Sequence, residues 1–366
     1  MQIVMAFLSQ NCTERRDGMR DILSMNLQEL QTAIQELHEP IYKAKQIYHW
    51  LHVRKIQEFS QMTDLSSALR LKLEANFEIK KLIISKKLES KLDDTVKYLY
   101  QLPDGQHVET VLMHYQHGWR ICISTQVGCK MGCQFCASAI AGYVRNLTAS
   151  EMLLQIDETE RNASIKISGI VLMGIGEPLD NFQNVMKFLE LLSDSKGRQM
   201  SLRHVTISTC GIVPKIRELA DKKTGLTLAV SLHQASDLQR NKIMPVNKKY
   251  PLQELMNACK YYFAVTGRRI TYEYAVMEDE NDSFADAQTL AKLLKNQQAP
   301  VNLIPVNTVK ERSYHATRKS AKKFMQYLET LGIHATVRRT LGSDIQAACG
   351  QLRHEIDNIK RIKNLT

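Results

Sequence analysis

The stretch of sequence that decides the fold reads ICISTQVGCKMGCQFC and runs from Ile121 to Cys136. Its first part, Ile121–Gln126, is short, apolar and rich in β-branched residues, which predicts a strand. Its second part holds Cys129, Cys133 and Cys136 in the spacing C-x3-C-x2-C. The chain has only 8 Cys in 366 residues, so thiols clustered after a strand indicate metal binding or catalysis rather than a disulfide framework.

Toward the C-terminus, short apolar runs alternate with segments of helical periodicity. The apolar runs predict further strands at Gly169–Met173, Val205–Thr209, Leu226–Leu232, Ile270–Val276, Val301–Val306 and His334–Arg338. The helical patterns lie at Ser150–Glu160, Asn181–Leu192, Val213–Asp221, Leu252–Val265, Ala285–Asn296 and Ser320–Leu331. Repeated alternation of strand and helix is typical of a parallel α/β sheet or barrel.

Several of these predicted strands end in glycine or polar residues. The strand ends include Gly176 and Glu177, Ser208, the run Ser231-Leu232-His233, and Asn307. In barrels, catalytic groups lie at this carboxyl edge of the strands. We therefore expect these residues to line one contiguous pocket.

The chain before the barrel pattern falls into three parts. An extension over 1–24 precedes a region of helical periodicity over 25–79, whose basic residues form either an RNA contact or a solvated surface. Over 80–114, two strand-like runs flank the turn sequence Pro103-Asp104-Gly105, which predicts a linking hairpin. The core is expected to span 115–352, and a basic tail 353–366.

The composition excludes several classes of protein. With 44% hydrophobic residues and few Gly and Pro, the chain is neither disordered nor collagen-like. No apolar run is long enough for a signal peptide or a membrane span, so we expect a cytoplasmic protein. The net charge of +11 fits a polyanionic partner. Candidate phosphate contacts lie in Lys310–Lys323, Arg338-Arg339 and Arg353–Lys363, although each run alone could be a solvated face.

The three clustered thiols are compatible with two kinds of metal site. Three thiolates on one loop can bind three irons of a 4Fe-4S cube and leave the fourth iron open to another ligand. A structural zinc site requires a fourth Cys or His nearby. None follows the loop closely, but His114 and His117 precede it, so zinc stays an alternative.

Several short motifs occur in the same order as in a known family. They are Val108–Val111, Ser124–Cys129, Met173–Pro178, Ser208–Ile212, Ser231–His233, Met244–Asn247, Asn302–Pro305 and Asp344–Leu352. The cysteine loop resembles that of the radical S-adenosylmethionine (SAM) superfamily, and the motifs resemble those of the RNA adenine methyltransferases of the RlmN and Cfr group. The resemblance covers about two thirds of the chain. It implies a partial (βα)6 TIM-like radical SAM barrel with a small N-terminal helical accessory domain and a linking β-hairpin.

The resemblance also implies two cofactors. A 4Fe-4S cluster would be bound by Cys129, Cys133 and Cys136, and its reduction of SAM would produce a 5′-deoxyadenosyl radical. The residues expected to contact SAM are Gly176, Glu177, Ser208, Ser231, Leu232, His233 and Asn307.

Three further residues receive catalytic roles from the resemblance. Cys349 would take a methyl group from one SAM, and the radical from a second SAM would activate that methyl group for addition to the RNA base. Glu109 would remove the C2 proton from the adduct, and Cys122 would form a disulfide with Cys349 that releases the methylated base. Taken alone, Cys122 could equally be a core residue and Glu109 an exposed strand residue.

The implied activity is methylation of C2 of adenosine in 23S rRNA, at the peptidyl-transferase centre, and in tRNA next to the anticodon. With this activity we expect two SAM molecules per turnover, an electron donor such as a flavodoxin or ferredoxin, and a monomeric state. One alternative is the C8-specific rRNA methyltransferase of the same group, which confers antibiotic resistance. Others are a non-catalytic iron–sulfur or zinc RNA-binding protein and a radical SAM enzyme with a small-molecule substrate.

Overall fold

Two units make up the chain, Met1–Lys80 and Lys81–Thr366. The structure, a computed structural model, describes residues 19–295, 297, 299–306, 313–339 and 341–345. The first unit is helical, with strands β1 (Arg20–Asp21) and β2 (Phe77–Glu78) and helices α1 (Leu27–Glu36), α2 (Tyr42–His52) and α3 (Ser67–Asn76). Helix α1 begins at a capping box, because the side chain of Asn26 accepts a hydrogen bond from the backbone of Glu29.

The packed part of the first unit begins earlier than the sequence indicated. Ile22 and Leu23 are buried, although both fall in the predicted extension 1–24. The reason is the parallel pairing of β1 with β2, in which Arg20 lies opposite Phe77. This pairing holds the start of the described chain against the strand that follows α3, so the residues after β1 enter the core.

A ten-stranded sheet dominates the second unit. Its ten strands are β3 (Ile83–Glu89), β4 (Val96–Gln101), β5 (His107–Tyr115), β6 (Gly118–Cys122), β9 (Ile167–Leu172), β10 (Val205–Thr209), β11 (Thr227–Ser231), β12 (Ile270–Val276), β13 (Val301–Pro305) and β14 (Ala335–Val337). Strands β7 (Gln126–Gly128) and β8 (Tyr143–Asn146) form a separate small pair. The order is β14-β13-β12-β11-β10-β9-β6-β5-β4-β3. Within this sheet, β6 and β9 to β14 pair in parallel, and β3 to β6 pair antiparallel. Because β14 and β3 lie at opposite edges, the sheet is not closed, which confirms the predicted partial barrel.

Helices connect the parallel strands. They are α4 (Ala149–Ala163), α5 (Phe182–Ser193), α6 (Val213–Asp221), α7 (Asp237–Ile243), α8 (Val246–Lys249), α9 (Leu252–Thr266), α10 (Phe284–Leu293) and α11 (Arg318–Thr330). Six of them correspond to the predicted helices, whereas α7 and α8 were not predicted because each is too short to show helical periodicity. Within the described residues, no helix is both long and apolar enough to cross a membrane.

The strand predicted over Ile121–Gln126 is displaced toward the N-terminus, because β6 covers Gly118–Cys122. Strand β6 ends at Cys122, and Gln126 begins the separate strand β7. Between them, the backbone N–H and carbonyl of Ser124 hydrogen-bond to the side-chain amide of Gln155 in α4, at 2.8 and 3.0 Å. Because both backbone groups are already paired, Ser124 does not continue the ladder, and the chain turns toward the cysteine loop.

The strands of the predicted linking hairpin belong to the main sheet. Strands β4 and β5 are antiparallel, as expected, but β5 also pairs with β6 through contacts such as Val111 opposite Cys122. The hairpin therefore extends the parallel sheet at one edge. It also brings residues of β4 and β5 close to the first parallel strand.

Candidate active site

A cavity of about 260 Å3 lies at the carboxyl edge of the parallel strands. The cysteine loop between β7 and β8 forms part of its wall, and the residues that follow β9, β10 and β11 form another part. The predicted site residues that line it are Cys129, Cys133, Cys136, Gly176, Glu177, Ser208, Ser231 and His233. Residues that are up to about a hundred positions apart in the sequence therefore share one pocket.

The three thiols occupy a largely buried loop. Cys129 and Cys133 are buried and Cys136 is partly exposed. Backbone hydrogen bonds hold the loop, since Cys129 donates to the carbonyl of Gly142 and Gln134 donates to that of Ile243, both at 2.9 Å. Burial raises the pKa of the Cys129 thiol to about 12 and also raises that of Cys133. Both thiols are consequently neutral at neutral pH until a metal displaces their protons.

The arrangement of the three thiols suits a cluster rather than a single metal ion. Across the described part of the chain, no three Cys, His, Asp or Glu side chains converge in a way that would hold one metal ion. A 4Fe-4S cube makes a different demand, because each thiolate binds a different iron and the sulfurs need not meet at a point. Cys129, Cys133 and Cys136 line the same cavity from one loop, and this arrangement fits a cube.

Glu177 is a buried carboxylate held by backbone donors. Its Oε2 accepts a hydrogen bond from the backbone N of Cys210 at 2.7 Å, and its Oε1 accepts one from that of Leu179 at 3.0 Å. Burial raises the pKa of this carboxyl, and the two N–H groups partly oppose that effect. The preceding Gly176 has a φ of +108°, and a Cβ there would lie 2.6 Å from the Cβ of Gln126. Glycine is therefore required where the chain turns into the cavity.

His233 is a buried, neutral imidazole that also lines the cavity. Its Nδ1 accepts a hydrogen bond from the backbone N of Ala275 at 2.9 Å, which assigns the proton to Nε2. Its ring packs edge-on against Phe135 of the cysteine loop, with 4.7 Å between the ring centroids. Burial, with a smaller contribution from the charge of Arg240, lowers the pKa of His233 to about 3.

Leu232 differs from its neighbours in the predicted SAM-binding set. Its side chain is fully buried and is not among the groups that line the cavity. Its backbone N donates to the carbonyl of Glu273, and its own carbonyl accepts from Nε of Arg240. Leu232 thus supports the wall through its backbone instead of presenting a side chain to the pocket.

Glu109 and Cys122 lie on one face of the sheet, beside the cavity rather than in its wall. Opposite residues of antiparallel strands share a face, and Val111 lies opposite both Lys97 and Cys122. Glu109, two residues before Val111, therefore faces the same side as Cys122. The Nζ of Lys97 lies 3.4 Å from Oε1 of Glu109, and both side chains are buried. The alternative of an exposed Glu109 is thus excluded.

The environment of Cys122 connects it to the cavity. Cys122 is buried with Val111 and Met113, and Met173 and Leu341 pack against this group. Met173 also lines the cavity. Two other predicted site residues, Asn307 and Cys349, lie outside the residues that the structure describes.

Several residues in the cavity wall were not among the predicted site residues. They include Met173, Cys210, Glu273, Pro305 and Arg338. Glu273 gave a usable signal, since it is the only charged residue of strand β12. Met173, Cys210 and Pro305 lie in the motifs that carry the resemblance, and Arg338 is a predicted phosphate contact, but the sequence does not place them in the cavity.

Comparison with known proteins identifies the family. The model of the Radical SAM superfamily matches residues 123–294, and that of the ribosomal RNA large subunit methyltransferase N-terminal domain matches residues 20–79. A protein of Lachnoclostridium phytofermentans named probable dual-specificity RNA methyltransferase RlmN is 49% identical over 334 residues, which cover 91% of this chain and 94% of that protein. The chain belongs to the RlmN family of radical SAM RNA methyltransferases.

Other similar proteins agree with membership of the RlmN family. A Clostridium perfringens protein with the same name is 48% identical over 346 residues, which cover 94% of this chain and all of that protein. The crystal structure of a radical SAM methyltransferase from Sphaerobacter thermophilus superimposes with a TM-score of 0.86 at 38% identity, and covers 91% of this chain and 98% of that one. The predicted family, fold and cofactors are confirmed at this level, since radical SAM proteins use a 4Fe-4S cluster and SAM.

Proposed function

We propose that this chain methylates C2 of adenosine in 23S rRNA and in tRNA. One observation carries the proposal: the three thiols of the cysteine loop line the same cavity as Glu177, Ser208, Ser231 and His233. Thiols suited to a cluster thus share a pocket with polar groups suited to an amino-acid-bearing nucleoside such as SAM. The names of the RlmN relatives support RNA as the substrate.

Cys129, Cys133 and Cys136 would hold the cluster, which supplies the electron that cleaves SAM when it is bound. The loop contributes three thiolates and apolar side chains. Phe135 and Met131 of the same loop line the cavity as well and exclude water from it. Exclusion of water protects a radical from side reactions.

Glu177 and His233 would orient SAM from the other walls. A buried carboxylate whose oxygens already accept two backbone N–H groups is fixed in position, so it can receive a positively charged amino group without reorganisation. His233 would offer Nε2–H as a donor, because its Nδ1 is occupied by the backbone of Ala275. Gly176, Ser208, Ser231 and Asn307 complete the proposed set, in which Leu232 acts through its backbone.

Cys349 and Cys122 would carry and release the methyl group. Leu341, eight residues before Cys349, packs against the group of residues that contains Cys122. The described chain eight residues before Cys349 therefore lies close to Cys122, as a disulfide between the two cysteines requires. In the release step, the Cys122 thiolate attacks the sulfur of Cys349, the carbon–sulfur bond breaks, and its electron pair takes up a proton to complete the methyl group.

Glu109 would remove the C2 proton before that release, and the oxidised cluster, when bound, would supply the acceptor for the one electron that the radical addition leaves unpaired. It shares a face of the sheet with Cys122 and lies on the adjacent strand, so both act on the same side of the bound base. RNA would be attracted by the net charge of +11 and by the exposed side chains Arg318, Lys319, Lys322 and Lys323 of α11. The basic positions at 310, 312 and 353–363 lie outside the described residues.

The test is a methylation assay on defined RNA. The protein is reconstituted anaerobically with iron and sulfide, given SAM and a reductant, and incubated with 23S rRNA or tRNA that lacks the modification. Mass spectrometry of nuclease digests should show 2-methyladenosine from both RNAs. Cys133→Ala, which removes one thiol of the loop, should abolish it. Only 8-methyladenosine in the digest would support the C8 alternative, which the names of the relatives do not favour.

A further inference from the structure

Arg240 is a fully buried residue outside the set of predicted site residues. It lies in α7, and its guanidinium makes four hydrogen bonds. Nε donates to the carbonyl of Leu232 at 3.0 Å, Nη2 to those of Cys210 and Ser231 at 2.8 and 2.9 Å, and Nη1 to Oδ1 of Asn247 at 2.8 Å. Among the described residues, all of these acceptors are neutral.

A buried positive charge without a carboxylate in contact is unfavourable unless negative charge develops nearby. Two carboxylates among the described residues are each one hydrogen-bonded residue away from Arg240. Glu177 accepts a hydrogen bond at 2.7 Å from the backbone N of Cys210, the residue whose carbonyl binds Arg240. Asp237 accepts one at 2.8 Å from Nδ2 of Asn247, the residue whose Oδ1 binds Arg240. Neither carboxylate contacts the guanidinium directly.

The position of Arg240 points to the thiol loop as the place where that charge develops. Cys210, held by Arg240, belongs to the same apolar cluster as Cys133, together with Met244 and Ala275. The loop is also tied to the helix that carries Arg240, because the backbone N of Gln134 donates to the carbonyl of Ile243 at the end of α7. Arg240 therefore lies directly behind the wall that contains Cys133.

We propose that Arg240 acts through its fixed positive charge. Its guanidinium raises the reduction potential of the cluster bound by the cysteine loop. This inference rests on the cluster site of the proposed function. Three thiolates and the oxidised core together carry one net negative charge, and one electron from the external donor adds a second. A positive charge nearby favours the more negative state, and the apolar surroundings screen this attraction weakly.

The four hydrogen bonds explain why the residue is Arg. A guanidinium stays protonated when buried and presents donors in a rigid fork, so a single side chain can bind three carbonyls and an amide at fixed positions. Its charge is thereby held at a constant distance from Cys133 during turnover. Arg240 itself is neither oxidised nor reduced.

The midpoint potential of the reconstituted cluster tests this inference. The cluster is titrated with dithionite and mediators without SAM, and the reduced state is followed by electron paramagnetic resonance. Arg240→Gln should shift the midpoint to a more negative value, whereas Arg240→Lys, which keeps the charge, should stay closer to that of the wild type. Arg217→Gln, at an exposed position of α6, is the matched control and should leave the midpoint unchanged.

A second variant avoids the loss of the hydrogen bonds of Arg240. Combining Asp237→Asn with Asn247→Asp keeps the composition and net charge, and it moves a carboxylate into direct contact with the guanidinium. The new amide at 237 can still accept from the backbone N of Leu252, as Asp237 does now at 2.8 Å. This variant should also have a more negative midpoint, because the carboxylate cancels the charge of Arg240.

The outcomes separate the two proposals. A midpoint equal to that of the wild type in Arg240→Gln, or in the exchanged pair if Arg240→Gln does not fold, overturns the role of Arg240. A wild-type protein that binds no iron and sulfide, or that shows no one-electron signal, overturns the cluster site itself. A negative shift in both variants with an unchanged Arg217→Gln supports the inference.

Discussion

The ammonium nitrogen of Lys97 lies 3.4 Å from Oε1 of Glu109, and both side chains are buried between neighbouring strands. Removing one partner of a buried ion pair leaves the other charge in a medium of low polarity. Lys97→Met should therefore lower the free energy of unfolding by about 3–5 kcal/mol. Urea denaturation of the cluster-free protein at neutral pH measures this loss.

Two further variants show whether the loss comes from the buried charge. Lys97→Met combined with Glu109→Leu should recover much of the stability, because apolar replacements of a buried pair are often neutral. Lys87→Met removes a partly exposed ion pair with Glu89 on β3 and should cost less than about 1 kcal/mol. Equal losses for Lys97→Met and Lys87→Met would contradict the assignment of a buried pair.

The neutral state of His233 predicts a specific sensitivity to acid. Its pKa is about 3 in the folded chain, because it is buried, against about 6.5 when unfolded. Between these values the unfolded chain binds a proton that the folded chain does not. His233 therefore contributes full stability above about pH 6.5, and about 1.4 kcal/mol is lost per unit as the pH falls below that.

His233→Asn should remove this dependence. Asn adopts the left-handed conformation of residue 233, where φ is 57°, and its side-chain oxygen can accept from the backbone of Ala275. Between pH 7 and pH 5, the wild type should lose about 2 kcal/mol more than the variant in urea denaturation of the cluster-free protein. Parallel curves for the two proteins would show that His233 titrates normally.

Gly176 should tolerate no side chain. A Cβ there would lie 2.6 Å from the Cβ of Gln126 and 2.8 Å from its backbone N, so the chain around Glu177 has to move. Gly176→Ala should weaken SAM binding at least tenfold in equilibrium dialysis with the reconstituted protein. Gly225→Ala is the control, since its φ is also positive, at +75°, but no atom lies within 4 Å. It should cost about 1 kcal/mol of stability and leave SAM affinity unchanged.

Substitutions of the two proposed catalytic thiols should have opposite effects on the protein–RNA adduct. Cys122→Ala should accumulate a protein–RNA adduct that survives denaturing electrophoresis, because release requires the Cys122 thiolate. Cys349→Ala should form neither adduct nor methylated RNA, since the methyl carrier is absent. Cys259→Ala, at a buried position of α9, should turn over normally. An adduct in the double variant of Cys122 and Cys349 would show that another residue carries the methyl group.

Much of the fold was predictable because its signals are local. Apolar runs such as Val205–Thr209 and Ile270–Val276 form strands with the predicted bounds, and Val213–Asp221 forms the predicted helix. Prediction failed where a distant residue competes for the backbone. Ser124 leaves its strand because the side chain of Gln155 binds it, and Ile22 is buried because β1 pairs with a strand more than fifty residues later. No local pattern contains such partners.

The sequence by itself determined the family, the position of the thiol loop after the first parallel strand, and the strand ends that meet at one cavity. These follow from motif spacing and from the rule that parallel strands end at one edge. Only the tertiary structure decided that Glu109 pairs with Lys97, that Leu232 faces away from the cavity, and that Arg240 lies buried behind Cys133. The reason is physical: burial and charge pairing depend on strand register and on contacts between residues far apart in the chain, and a linear pattern does not specify them.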